Sequence, residues 1–277
     1  MKYPVLRSAA LAASALLLVA LGGCQKPLKP QLATSDTAHT FAAGEDTFTF
    51  QVWNAGDAGS TLTFDVTSSQ TYITAVAAAG RIDGLVNNAA LGGSAPIEVH
   101  PIDRVREMFE TNVLGALRMV QAVVPAMRDR GDGVIVNISS VQGVVTSPLS
   151  GAYSASKHAL EAISEAMHFE LAHFGIRTVT IEPGCIAPGM KATGDIPYPA
   201  IYQQLYDEWN GADTTLNAGG RPGPEIVANA IVAAFADPAT PRRVPVGADA
   251  EMILSTRAQM DDAQFEATMR AVLGLTW

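Results

Sequence analysis

The sequence predicts an α/β protein, a parallel sheet doubly wound by helices, preceded by a small β segment. Three observations predict it. From Gly80 onward, short apolar runs alternate with long stretches of helical periodicity, the pattern of parallel strands joined by crossovers. Between residues 47 and 66 the pattern is instead a strict alternation of apolar and polar residues, the habit of an antiparallel sheet with one wet face. Hydrophobic residues make up 48% of the 277 positions, enough for a sizeable core.

The first 24 residues read as a targeting segment. Lys2 and Arg7 form a basic start, and Ala9 to Leu21 is apolar but short for a bilayer span. Leu21-Gly22-Gly23-Cys24 resembles the bacterial lipobox, which implies lipidation at Cys24 and a lipid anchor on the periplasmic side of the cell envelope. A plain buried helix is the alternative, with the protein then cytoplasmic. Residues 25–46 hold prolines and no periodicity and are expected to be a tether.

Residues 47–75 are expected to be β-rich. Phe48, Phe50 and Val52 share one face of a strand, and Leu62, Phe64 and Val66 share one face of another. The turn formers Asn54 to Ser60 lie between them, as in a hairpin. The stretch from Val52 to Thr74 resembles part of an immunoglobulin-like β-sandwich module.

Residues 76–277 form the α/β part. Strands are expected at 81–89, 133–139, 176–182 and 242–246, and helices at 101–130, 152–174 and 224–236. Pro125 lies inside the first helix, Gly175 closes the second, and Pro224 opens the third. Residues 187–222 are expected to be a long irregular insert.

The chemistry concentrates in a few positions. Tyr153 and Lys157 are four residues apart, hence neighbours on one helix face. A phenol with an ordinary pKa near ~10 is a poor base at neutral pH, and an adjacent ammonium lowers that value. Tyr153 can then take or return a hydroxyl proton, while Ser140, at the end of a strand, can hold the oxygen that develops charge. Singly, each residue also has a plain structural reading: a turn cap for Ser140, a polar break in a helix for Asn112, a solvated charge for Lys157. Cys185 reads as a buried small residue. The two cysteines and the net charge of −9 provide no metal-spaced set, no disulfide framework and no basic face for nucleic acid.

Taken in order, Asn87-Asn88-Ala89-Ala90, Asn112, Ser139-Ser140, Tyr153…Lys157 and Glu182-Pro183-Gly184 resemble the short-chain dehydrogenase/reductase family over residues 80–277. The resemblance implies a truncated Rossmann-like sheet and an oxidoreductase moving hydride between NAD or NADP and a secondary alcohol or ketone. It implies catalytic roles for Asn112, Ser140, Tyr153 and Lys157. It implies cofactor contacts at Asn87, Ala89, Ala90, Tyr153, Lys157, Pro183, Gly184 and Ile186, and pairing of two copies through helices 101–130 and 152–174. Tyr198, Tyr202, Tyr206 and Trp209 in the insert suit an apolar or aromatic substrate, or simply pack the insert.

The sequence departs from the family pattern in three places. Ala90 and Pro188 stand where the family has a glycine and a threonine. No strand followed by a glycine-rich phosphate turn precedes Gly80; Gly56 and Gly59 fall in the hairpin loop. A non-catalytic envelope lipoprotein, or a fusion carrying a degenerate dehydrogenase domain, is therefore the alternative. The missing first strand would leave residues 82–86 as an apolar edge, and the hairpin is expected to cover it.

Overall fold

A computed structural model describes residues 32–34, 47–54, 61–67, 74–77, 82–187, 196–216 and 219–276. Cys24 and the targeting segment, the hairpin loop with Gly56 and Gly59, and Pro188 lie outside these residues.

Strands β1 (Leu32–Thr34), β2 (Thr47–Asn54), β3 (Thr61–Thr67) and β4 (Thr74–Ala77) form an antiparallel sheet in that order. The expected hairpin is present, with Phe50 opposite Phe64 and Val52 opposite Leu62. Three expectations are corrected here. The stretch read as a tether contains β1, which pairs with β2. β4 runs to Ala77, past residue 75 where the β-rich segment was expected to end. The hairpin does not cover the edge of the parallel sheet, because β1 to β4 are a separate sheet. Alternating polar residues suit a sheet with one wet face, and such a sheet has no reason to add to a strand buried on both sides.

The second sheet has the order β5 (Gly84–Asn87), β6 (Gly133–Ile138), β7 (Ile176–Pro183) and β8 (Arg243–Val246). β7 and β8 run parallel, with Thr180 beside Arg243 and Pro183 beside Val246. The helices are α1 (Ile102–Phe109), α2 (Ala116–Arg130), α3 (Gly151–Ala172), α4 (Gln203–Leu216), α5 (Glu225–Ala236), α6 (Ala248–Gln259) and α7 (Asp262–Leu273). The expected elements at 101–130, 133–139, 152–174, 176–182, 224–236 and 242–246 are all present. α6 and α7 go beyond those expectations, and the insert expected to be irregular contains α4. Among the described residues, no helix is long and apolar enough to cross a membrane.

The chain divides into two compact units. The first takes the residues up to Ala89 with Leu114–Val136 and Met167–Thr178. Its core holds Leu85, Val123, Met127, Ile135 and Ile176, each nearly inaccessible. The start of β5 is closed by α2, where Arg130 donates to the Ile82 carbonyl and lies 3.8 Å from Asp83. A charged pair at this edge discourages association with another strand.

The second unit takes Ala90–Val113, Asn137–Ala166 and the chain from Val179. Met108, Leu160, Ile181, Ile231 and Ala250 build its core. The Ser139 amide donates to the Ile181 carbonyl at 2.8 Å, and the Thr180 amide to the Arg242 carbonyl at 2.8 Å. These bonds align the ends of β6 and β7, from which the site residues emerge.

Candidate active site

Asn112, Ser140, Tyr153 and Lys157 all belong to the second unit. β6 ends at Ile138, and Ser140 follows in extended backbone as the cap of a single turn at Val141–Gly143. Its Oγ accepts the Gln142 amide at 3.1 Å and lies 3.5 Å from the Pro183 carbonyl. The cap that an unremarkable serine would provide is therefore real, and the same hydroxyl also hydrogen-bonds the Tyr153 phenol.

Tyr153 lies in the first turn of α3 and Lys157 one turn on, its ammonium 5.8 Å from the centre of the phenol ring. Lys157 is 2% exposed and donates to the Ile138 carbonyl at 2.8 Å. One bond leaves two of the three ammonium protons for another acceptor. A surface charge is thereby ruled out as its role.

Burial decides the protonation of both groups. It pushes the Tyr153 phenol up to about 12, against the lowering effect of the Ser140 hydrogen bond. It pushes the Lys157 ammonium down to about 8, against the charge of Glu161. Desolvation of the phenolate is the largest effect on Tyr153, in the opposite sense to the lowering expected from the ammonium. A neutral phenol beside Ser140 can donate a proton to an oxygen acquiring negative charge.

Asn112 lies within the helical stretch where it was expected. It is 1% exposed within a π-helical stretch, Glu110–Gly115, between α1 and α2. Its Oδ1 accepts the Leu91 amide at 2.7 Å, and its Nδ2 donates to the Leu91 carbonyl and to Ser156 Oγ, both at 2.9 Å. Ser156 in turn donates to the Tyr153 carbonyl at 2.7 Å. The amide thus ties the loop after β5 to the helix that carries Tyr153. The helix widens here, as π turns do where a local demand competes with the regular ladder.

The expected cofactor contacts divide. Ala90, Pro183, Gly184 and Ile186 lie in the second unit, whereas Asn87 and Ala89 lie at the end of β5 in the first. Gly184 has a structural duty of its own. A Cβ there would come within 2.2 Å of both Asp249 oxygens. Asp249, in the first turn of α6, accepts the Cys185 amide at 2.7 Å. Cys185 itself is half-buried, not buried as expected.

The insert is closed at its base by the Ala187 amide on the Pro222 carbonyl at 2.7 Å. Tyr198 and Tyr206 stack with ring centres 3.8 Å apart, and Tyr202 donates to Glu98 at 2.5 Å. Part of the aromatic set therefore packs the insert itself. Ser156, Gln142 and Asp249 were not among the expected site residues. The serines interleaved with Tyr153 in Y-S-A-S-K were a signal for the first; nothing local distinguished the other two.

The family model for short chain dehydrogenase matches residues 40–195. The match opens well before Gly80 and takes in the antiparallel strands β2 to β4, so the resemblance is not confined to residues 80–277. The chain is 33% identical over 201 residues to an uncharacterised oxidoreductase of Schizosaccharomyces pombe, covering 71% of this chain and 83% of that one. A short-chain dehydrogenase from Streptomyces avermitilis is 32% identical with a TM-score of 0.58, over 72% of this chain and 73% of that one. One from Burkholderia cenocepacia, solved with NADP, is 28% identical with a TM-score of 0.53, over 71% and 70% of the two chains. With the ordered site on α3 and the strand ends behind it, these matches place the chain in the short-chain dehydrogenase family.

Proposed function

We propose that this oxidoreductase interconverts a secondary alcohol and a ketone with a nicotinamide cofactor, and that at neutral pH it works as a carbonyl reductase. The observation that carries the reading is the neutral Tyr153 phenol bonded to Ser140, one turn from the buried ammonium of Lys157. A phenol that holds its proton is the acid that a ketone needs as its oxygen becomes an alkoxide.

The residues present fit the nicotinamide-ribose end of the cofactor. Lys157 has two unused ammonium protons in a buried place, where ribose hydroxyls are suitable acceptors. When bound, the cofactor supplies the hydride. Ser140 would hold the substrate oxygen, Tyr153 would deliver the proton, and Lys157 would hold the ribose and balance the charge left on the phenol. NADP is favoured over NAD by similar Burkholderia structures solved with it. An apolar or aromatic ketone is favoured by the aromatic insert.

Two further proposals concern the assembly. Leu114, Phe169 and Phe174 are exposed apolar residues in the helical stretches expected to pair two copies, which supports a homodimer. Lipidation at Cys24 and an envelope location rest on the sequence pattern alone; metabolic labelling with a palmitate analogue, lost in Cys24→Ser, tests both.

The test of the activity is titration with NADPH and NADH, followed by turnover of a panel of aryl and alkyl ketones. Binding in the micromolar range with turnover is expected. No binding at millimolar cofactor would sink the enzyme reading in favour of a non-catalytic envelope protein or a fusion product.

A further inference from the structure

Behind Lys157 lies a second set of charges that the steps above do not use. Glu161, one turn further along α3, is 4% exposed, and Glu182 on β7 is 2% exposed. Arg243 on β8 meets both, with one terminal nitrogen 2.9 Å from Glu161 and its Nε 3.6 Å from Glu182. Even so, Glu161 Oε1, Glu182 Oε1 and Ser139 Oγ are buried with no hydrogen-bond partner among the described residues. Gly143 keeps the space beside them clear, since a Cβ there would lie 2.6 Å from Ser139 Oγ and 2.8 Å from Glu161 Cγ.

The set has one exchangeable charge close to neutrality. Burial pushes the Glu182 carboxyl up to about 7, the neighbouring Glu161 charge adds to this, and Arg243 and Arg242 oppose it. With Glu182 protonated, Glu161 and Arg243 cancel. Once Glu182 ionises, the set carries one net negative charge, a turn of helix away from an ammonium weakened by burial. The neighbouring charges are otherwise committed. Arg242 pairs with Glu165 at 2.9 Å, Asp249 holds the Cys185 amide, and Arg257 pairs with Asp262. A cavity lined by Val144, Glu182, Arg243, Pro245, Leu254 and Arg257 adjoins the set.

We propose that Glu161, Glu182 and Arg243 act as an adjustable counter-charge that keeps Lys157 protonated as pH rises, making the two glutamates positioning residues for proton transfer at Tyr153. The proposal rests on the oxidoreductase reading for its catalytic consequence but not for its physical basis. Glu161 acts on Lys157 through its charge, one turn along the same helix. Glu182, which shares Arg243 with Glu161, adds its own charge to the set only above about pH 7. Arg243 opposes both.

The experiment is a lysine side-chain NMR titration of the full chain, with the Lys157 resonance identified by its loss in Lys157→Met. It is run beside the pH profile of kcat for the same variants. In Glu161→Gln the Lys157 midpoint is expected to fall by about one pH unit, the effect of one adjacent opposite charge. In Glu182→Gln it falls less, and in Arg243→Gln it rises. The alkaline limb of kcat follows in the same directions, with KM changed little. An unmoved Lys157 midpoint in Glu161→Gln, or in Glu182→Gln should the first variant not fold, overturns the proposal. So does a midpoint that moves while the kcat limb stays still. Absence of turnover in the wild type overturns the oxidoreductase reading instead, and the NMR midpoints still decide whether the counter-charge exists.

Discussion

Two regions against α3 treat buried polar groups in opposite ways. Around Asn112, Leu91 and Ser156, every polar atom of the asparagine amide has a partner at 2.7 to 2.9 Å. Around Glu161 and Glu182, oxygen atoms are buried without a hydrogen bond, and two carboxyl groups share one guanidinium. Satisfied networks rigidify, whereas unsatisfied buried charge is costly and responds to protons. The difference teaches that one region ties down the helix turn that carries Tyr153 while the other places charge beside Lys157.

The largest expected effect breaks the comparison at its shared centre. Tyr153→Phe removes the proton donor and should lower kcat by roughly 10²–10⁴ while leaving NADPH affinity largely intact. Equal turnover would remove Tyr153 from the chemistry.

Next comes the satisfied region. Asn112→Leu strands the Leu91 amide and carbonyl, each costing about 1–3 kcal/mol when buried without a partner. Chemical denaturation should show a loss of a few kcal/mol. A change in activity with no change in stability would return Asn112 to a chemical role. Ser156→Ala removes one partner and should cost about 1–3 kcal/mol by the same measurement.

The responsive region should show itself in the pH dependence of stability. A carboxyl whose pKa rises from 4.5 to about 7 on folding binds more protons folded than unfolded between those values. Its contribution is therefore full below about pH 4.5 and is lost as pH rises to about 7. Glu182→Gln should flatten that decline, and an equally steep decline would show that Glu182 is not its source. The last effect is structural. Gly184→Ala forces Asp249 off the Cys185 amide and should cost about 1–3 kcal/mol without shifting the pH profile.

Much of this was legible before folding, and the reasons can be traced through particular residues. Tyr153 and Lys157 announce themselves because helical spacing is a property of the chain. The strands at 133–139 and 176–182 are legible because apolar runs with short turns have few other homes. The polar site at the ends of β6 and β7 follows from the order of the motifs. The helical stretch that carries Asn112 was legible, whereas its partners Leu91 and Ser156 were not, since they lie 21 and 44 positions away. The helix α4 was hidden in an insert whose prolines and glycines read as irregular. The strands β1 and β4 were hidden because short pairings are set by the neighbour and not by local pattern.

The sequence by itself determined the alternation of elements, the hairpin of β2 and β3, and the order Ser140, Tyr153, Lys157 along the chain. These depend on periodicity and spacing, which are local. Only the tertiary structure decided which way the charges fall. It raised the phenol of Tyr153, lowered the ammonium of Lys157 and brought Glu161, Glu182 and Arg243 together from three elements. The physical reason is desolvation: the proton affinity of a group depends on how much water packing removes, and no segment of chain carries that quantity alone.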